Sequence, residues 1–187
     1  MGSLTQKQKA FLTGSLLGDA YLRVVPGRKN AFFEFNHSIK QKDYVDWKFQ
    51  KLAEFVKSPP KSRKGNGGRI AYRFFTRQNP YFTKLHKKFY KNKKKIIPEI
   101  KLDSLVLAVW FMDDGTKNRH TYYLNTQQFS REDQKKLTKM LKEQYNIIGT
   151  LNKDKQYYRI RIANESSGIL KEVISRHIIP SMLYKLE

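Results

Sequence analysis

Two nearly uncharged apolar segments recur 95 residues apart in this chain, and each ends in a carboxylate followed by a small residue. The first reads Leu12-Thr13-Gly14-Ser15-Leu16-Leu17-Gly18-Asp19-Ala20. The second reads Leu107-Ala108-Val109-Trp110-Phe111-Met112-Asp113-Asp114-Gly115. Both are long enough to be buried helices. Both place acid at the C-terminal end, where the helix dipole is already negative. That costs roughly 0.3–1 kcal/mol for an exposed charge, and more in an apolar setting. Two such endings, in a chain of net charge +22, point to a place built to hold a cation.

The rest of the chain follows the same double rhythm. After Asp19, residues 21–25 and 31–38 alternate as strands around the turn Pro26-Gly27. Asp43 is expected to cap a helix with Val45, Phe49, Leu52 and Val56 on one face. Ser58-Pro59-Pro60 stops it, and residues 61–68 read as a basic, glycine-rich loop. Residues 69–77 form the clearest strand and 81–90 a helix, followed by the lysine run 91–95 and Ile96-Ile97-Pro98.

The second half repeats this order. A helix opens at Ser104, a strand is expected over 120–129, and Ser130 caps a helix. A two-faced strand covers 157–162, and a helix over 169–179 ends in Ile178-Ile179-Pro180. The two Ile-Ile-Pro triplets lie 82 residues apart. A diverged repeat of two such units implies a pseudo-twofold domain, since a solenoid needs three or more. Its halves are residues 1–100 and 101–187. The first helix is expected to open at Ser3, with Gln6 in capping-box spacing.

Composition narrows the partner. The chain has 38 basic and 16 acidic residues, and 23 of the basic ones but only 6 of the acids fall within residues 1–100. Such an excess most often serves a polyanion, nucleic acid above all. There are no cysteines, which excludes disulfides, thiolate metal sites and cysteine nucleophiles. His37, His86, His120 and His177 have no metal-ligand spacing and read as surface or packing residues. No apolar run approaches the roughly 18–20 residues needed to cross a bilayer, so no membrane partner is expected.

Each motif has a plainer reading. Asp114-Gly115 could be a simple helix stop with Gly115 in a left-handed cap. The lysine run 91–95 could be a solvated loop. The strand over 69–77 could be an ordinary solvated face. Against the first, Gly14 and Gly18 are four apart, a spacing that lets two helix backbones approach closely. If the apolar helices pack on each other, Asp19 faces Asp114, and two carboxylates that close repel unless a cation lies between them. Mg2+ takes oxygen ligands, commonly one or two carboxylates with a substrate phosphate. The carbonyls of Gly18 and Asp113 could add ligands. A metal held this way activates water and stabilises the leaving oxygen of a phosphodiester.

Against the last, Arg69, Arg73 and Arg77 alternate with Ile70, Tyr72 and Phe74, and Arg159 and Arg161 recur on the strand related by the repeat. Tyr123, Asn125 and Gln127 are expected to line a further strand. Arginine and amide side chains on a sheet suit the DNA major groove, and lysine-rich loops hold phosphates. With Arg23 and Asn152, these residues make the expected DNA-contacting set.

The paired motifs resemble the signatures of LAGLIDADG homing endonucleases in their monomeric, two-motif form. The likeness is carried in order by residues 17–21, by Ser58-Pro59-Pro60, by residues 110–115, by Leu124-Asn125-Thr126-Gln127 and by residues 182–186. It implies an α+β fold, a pseudo-twofold pair of αββαββα-like halves forming a saddle whose concave antiparallel sheets sit on a long, asymmetric double-stranded DNA site. Asp19 and Asp114 would bind divalent metal at the scissile phosphates: Mg2+, with Mn2+ as a substitute and Ca2+ as an occupant that does not support cleavage. Lys95 and Lys185 match basic residues beside the metals, where they would polarise water or stabilise phosphorane charge. Asn152 and Ser38 fall near supporting positions. The implied activity is a staggered double-strand break in an intron-homing site by a monomer encoded in a mitochondrion or other organelle. The alternative is an intron maturase that binds RNA and leaves DNA uncut. A basic structural RNA-binding protein would have no use for acids at apolar helix ends.

Overall fold

The first helix, α1 (Gln6–Leu17), opens two residues later than expected because its cap is Thr5 rather than Ser3. The Gln8 amide donates to Thr5 Oγ1 at 3.1 Å, and the Thr5 amide donates to Gln8 Oε1 at 3.0 Å. The box is reciprocal and satisfies two otherwise orphaned donors. The computed structural model describes residues 3–187, which form two compact units. One comprises the residues up to Lys9 with Asp19–Lys88; the other comprises Ala10–Gly18 with Phe89–Glu187.

The first unit is built on four strands, β1 (Tyr21–Arg23), β2 (Phe32–Ser38), β3 (Lys61–Lys64) and β4 (Ile70–Phe75), with helices α2 (Lys42–Lys51) and α3 (Pro80–Phe89). The strand order is β1-β2-β4-β3, antiparallel throughout. Period-two alternation sorts β2: Phe33, Phe35 and His37 are buried, while Asn36 and Ser38 are exposed. Phe35 stacks on Phe74 at 4.8 Å, and Phe33 meets Phe82 edge-on at 5.0 Å.

Two readings change here. Residues 61–64 are a strand, not loop, pairing Lys61 with Arg73 and Arg63 with Ala71. Their side chains are all exposed, so they carry no hydrophobic signal. Asp43 lies in the first turn of α2 without capping it; a 3-10 turn over Ile39–Gln41 leads in, and Ser38 caps that turn.

The second unit holds helix α4 (Ser104–Asp114), strands β7 (Gly115–Asn118), β8 (Thr121–Leu124), β9 (Gly149–Asp154) and β10 (Tyr157–Ile162), and helices α5 (Arg131–Tyr145) and α6 (Asn164–Ser175). The strand order β7-β8-β10-β9 repeats that of the first sheet. Asp103 caps α4 by accepting from the Leu105 and Val106 amides. Ser130 caps α5 as expected. Helix α6 begins five residues before the expected start. Of the expected strand over 120–129 only β8 forms, as the second arm of a hairpin with β7 that turns at Arg119 with a left-handed backbone. The lysine run is also a hairpin, β5 (Tyr90–Lys91) with β6 (Lys94–Lys95). Asn92 and Lys93 both take positive φ, the geometry of a two-residue type I′ turn.

The Ala10–Gly18 end of α1 packs into this second unit, against α4. A side chain at Gly14 would lie 2.5 Å from the Val106 carbonyl and 2.9 Å from Val109 Cβ. One at Gly18 would collide with the Asp113 side chain. Residues 106–112 of α4 are at most 1% exposed, so this helix is core on every side. Gly115 is not a left-handed cap: its φ is −71°, and the chain continues directly into β7. No helix among the described residues is long and apolar enough to cross a membrane.

Candidate active site and nucleic-acid interface

The two acidic helix ends are built alike. At the end of α1 the Gly18 amide still donates to Gly14 at 3.2 Å, while the Gly18 carbonyl receives Lys95 Nζ at 2.9 Å. At the end of α4 the Asp113 carbonyl receives Lys185 Nζ at 2.8 Å. In both, a lysine ammonium sits on the carbonyl just before the acid. Both lysines are half-buried and held by local structure, Lys95 by the β5–β6 hairpin and Lys185 by the 3-10 turn Pro180–Lys185. A cation at a helix C-terminus gains roughly 0.3–1 kcal/mol from the dipole, and up to about 2 kcal/mol when partly buried. The unfavourable placement of the acids is therefore offset locally by a lysine at each terminus. The Gly18 and Asp113 carbonyls, expected as free ligands, are each engaged by one of these lysines.

Asp19 belongs to the first unit and Asp114 to the second. The Asp19 side chain is 48% exposed, with Oδ2 3.6 Å from His37 Nδ1. Asp114 is half-buried; its carbonyl accepts from the Asn125 amide at 3.0 Å and from Asn125 Nδ2 at 2.8 Å. The donors at both termini are carboxylate and main-chain oxygens, a set that suits a hard divalent cation such as Mg2+. With a lysine alongside each, the arrangement can hold a phosphate by charge and water by coordination.

The expected contact residues divide. In the first sheet, Arg73 lies on β4 opposite Asn36 and Lys61, so the cationic stripe continues onto the unforeseen strand β3. Arg69 and Arg77 flank β4 and are exposed. Arg23 Nε lies 2.6 Å from Glu34 Oε2, and Arg73 reaches the other Glu34 oxygen at 3.9 Å. Glu34, only 8% exposed, was missed: an acid on an alternating strand reads as solvent-facing until its arginine neighbours are known.

In the second sheet, Arg161 is exposed and Arg159 lies 4.2 Å over the Tyr123 ring. Asn152 stands opposite Arg159. Asn125 and Gln127 do not lie on a strand; they follow the end of β8. Asn125 turns inward to Asp114, and Gln127 donates to Asp154 at 2.8 Å. His37, read as a surface or packing residue, is buried beside Asp19. Its period-two phase with Phe33 and Phe35 was the available signal.

These features agree with what the chain is similar to. The "Probable intron-encoded endonuclease 1" of Wickerhamomyces canadensis is 32% identical over 200 residues, covering 98% of this chain and 85% of that protein. The "Cytochrome b mRNA maturase bI2" of Debaryomyces hansenii is 32% identical over 98% of this chain and 74% of its own length. The solved structure of the homing endonuclease I-WcaI bound to its DNA recognition sequence superposes with a TM-score of 0.91 at 30% identity, covering 100% of this chain and 88% of that one. Both acidic helix ends and both four-stranded sheets fall within residues 9–170, the span that matches the LAGLIDADG DNA endonuclease family, and the chain belongs to that family.

Proposed function

We propose that the chain is a site-specific homing endonuclease that makes a metal-dependent, staggered double-strand break in a long asymmetric DNA site. It would act as a monomer of two functional halves, residues 1–100 and 101–187. The observation that carries this reading is the matched lysine on each acid-bearing helix end: two equivalent termini suit two strands. Asp19 and Asp114 hold the cations, one acid for each strand. A bound Mg2+, or Mn2+ in its place, supplies Lewis acidity and an activated water; Ca2+ would occupy the same oxygens without supporting cleavage. Lys95 and Lys185 bring fixed positive charge to the scissile phosphates and stabilise charge developing there. Arg23, Arg69, Arg73, Arg77, Arg159 and Arg161, with Asn125, Gln127 and Asn152, hold phosphates and read groove edges. Its relatives support an origin in an organelle intron, mitochondrial in type.

Supercoiled plasmid carrying sites selected from a random library is the test. Wild type with Mg2+ should linearise it, and Asp19→Asn or Asp114→Asn should each reduce cutting roughly a thousandfold, about 4 kcal/mol of barrier. Undiminished cutting by both variants sinks the mechanism. The relative named as a maturase favours one second reading, an RNA-binding splicing factor. Tight, metal-independent binding of intron RNA with no DNA cleavage would select it.

A further inference from the structure

His37 is placed by alternation on the helix-covered side of β2, with its side chain only 2% exposed. From α2, Lys48 reaches it: Nζ lies 3.1 Å from His37 Nε2. Lys48 is itself fully buried, with Nζ 4.3 Å over the Tyr44 ring and 5.6 Å from that of Phe35. The other ring nitrogen, Nδ1, lies 3.6 Å from Asp19 Oδ2, just outside hydrogen-bonding distance. An ammonium has three donors and no acceptor. Opposite an ammonium, His37 Nε2 is the acceptor, and a neutral imidazole then carries its proton on Nδ1. In that tautomer the proton is aimed at Asp19.

We propose that Lys48 locks His37 in the Nδ1–H tautomer and that His37 is a positioning residue for Asp19. It donates to Oδ2 and so fixes the rotation of the Asp19 carboxylate. Such contacts are often long in free enzymes and tighten in the complex. The role rests on the reading of Asp19 as a cation-binding acid; the tautomer does not. The second half has no counterpart. Tyr21 pairs with Glu34 and Thr116 with Tyr123; three residues on from each, His37 is matched by Thr126. The Thr126 hydroxyl accepts from the Ile160 amide at 3.2 Å, tying two strands together. Its buried α5 neighbour is Gln134, which donates to main-chain carbonyls, Thr126's among them. At the position matching His37, the second sheet therefore has a hydroxyl and not an imidazole.

Two measurements test this on the full chain. Long-range 1H–15N correlation of 15N-histidine-labelled protein should give the Nδ1–H pattern for His37, and Lys48→Met should shift it toward Nε2–H or a mixture. An Nε2–H pattern in the wild type overturns the lock. Strand-resolved cleavage of an end-labelled duplex with Mg2+ tests the role. His37→Leu should slow one strand by roughly 10- to 100-fold, the usual loss when a group orienting a metal ligand is removed, and leave the other near wild type. His37→Asn, whose Nδ2 approximates the lost donor, should recover most of that loss; this guards against misfolding of the leucine variant. Equal slowing of both strands, or no recovery by asparagine, overturns the positioning role. If wild type cuts neither strand, the reading of Asp19 fails and the role fails with it, while the tautomer stands or falls on the spectrum.

Discussion

The two sheets share one strand order but not one surface. In the first, the face with Arg23 and Arg73 also carries Tyr21 and Phe75, exposed aromatics, around the sequestered acid Glu34. In the second, the corresponding strands offer Thr116, Asn118 and Asn152 beside Arg159 and Arg161, and no acid touches either arginine through an ion pair among the described residues. Topology is set by hydrophobic positions that point to the core, and these repeat. Side chains on the outward positions were free to diverge, and they did. The helix ends show the opposite behaviour: there the lysine-on-carbonyl contact recurs almost unchanged, 2.9 Å in one unit and 2.8 Å in the other.

That contrast can be broken at several levels. If the termini are equivalent, Lys95→Met and Lys185→Met should each lower single-turnover cleavage by a similar factor, roughly 10²–10³, measured at saturating Mg2+. A tenfold difference between them would end the equivalence. Helix packing gives a smaller effect. Gly14→Val puts atoms into the Val106 carbonyl and should cost about 1–3 kcal/mol in thermal or urea unfolding. Gly168→Ala is the control: nothing lies within 4 Å of its added carbon, and a helical glycine replaced by alanine should gain up to about 1 kcal/mol.

The smallest effect separates the sheet faces. Removing exposed Arg161 should reduce the slope of log affinity against log salt by about 1, as for a lost phosphate contact. Removing Arg73, whose charge is already partly met by Glu34, should reduce it by less. Anisotropy titrations of labelled DNA at several salt concentrations resolve the two, and identical slopes would show that Glu34 leaves Arg73 free to meet phosphate.

The legible parts of the chain were those with long periodic signals. Helices α1 and α4, the arginine stripe of β4 and the Ser130 cap follow from apolar spacing and local cap chemistry alone. Strands β3 and β7 did not, because they are short and mostly outward-facing, and their partners are what define them. Asn125 and Gln127 misled because alternation ran past the point where Asn125 turns in to Asp114. Lys95 and Lys185 were identifiable by resemblance, yet their contact with a carbonyl depends on chain folded 77 and 72 residues away. His37 needed Lys48, eleven positions later on another element, before its buried place acquired chemical meaning.

The division of α1 has a consequence for how this chain is made and how it can be recombined. Because Ala10–Gly18 belong with Phe89–Glu187, while the residues up to Lys9 belong with Asp19–Lys88, the two units alternate along the chain. During synthesis the second unit cannot be completed until everything after Lys88 has emerged, and the Ala10–Gly18 end of α1 must wait for its partner helix while the first unit folds. A hybrid joined at the midpoint between relatives would thus give the second unit a foreign helix. Chimeras that exchange the residues up to Lys9 together with Asp19–Lys88 keep each unit with its own parts.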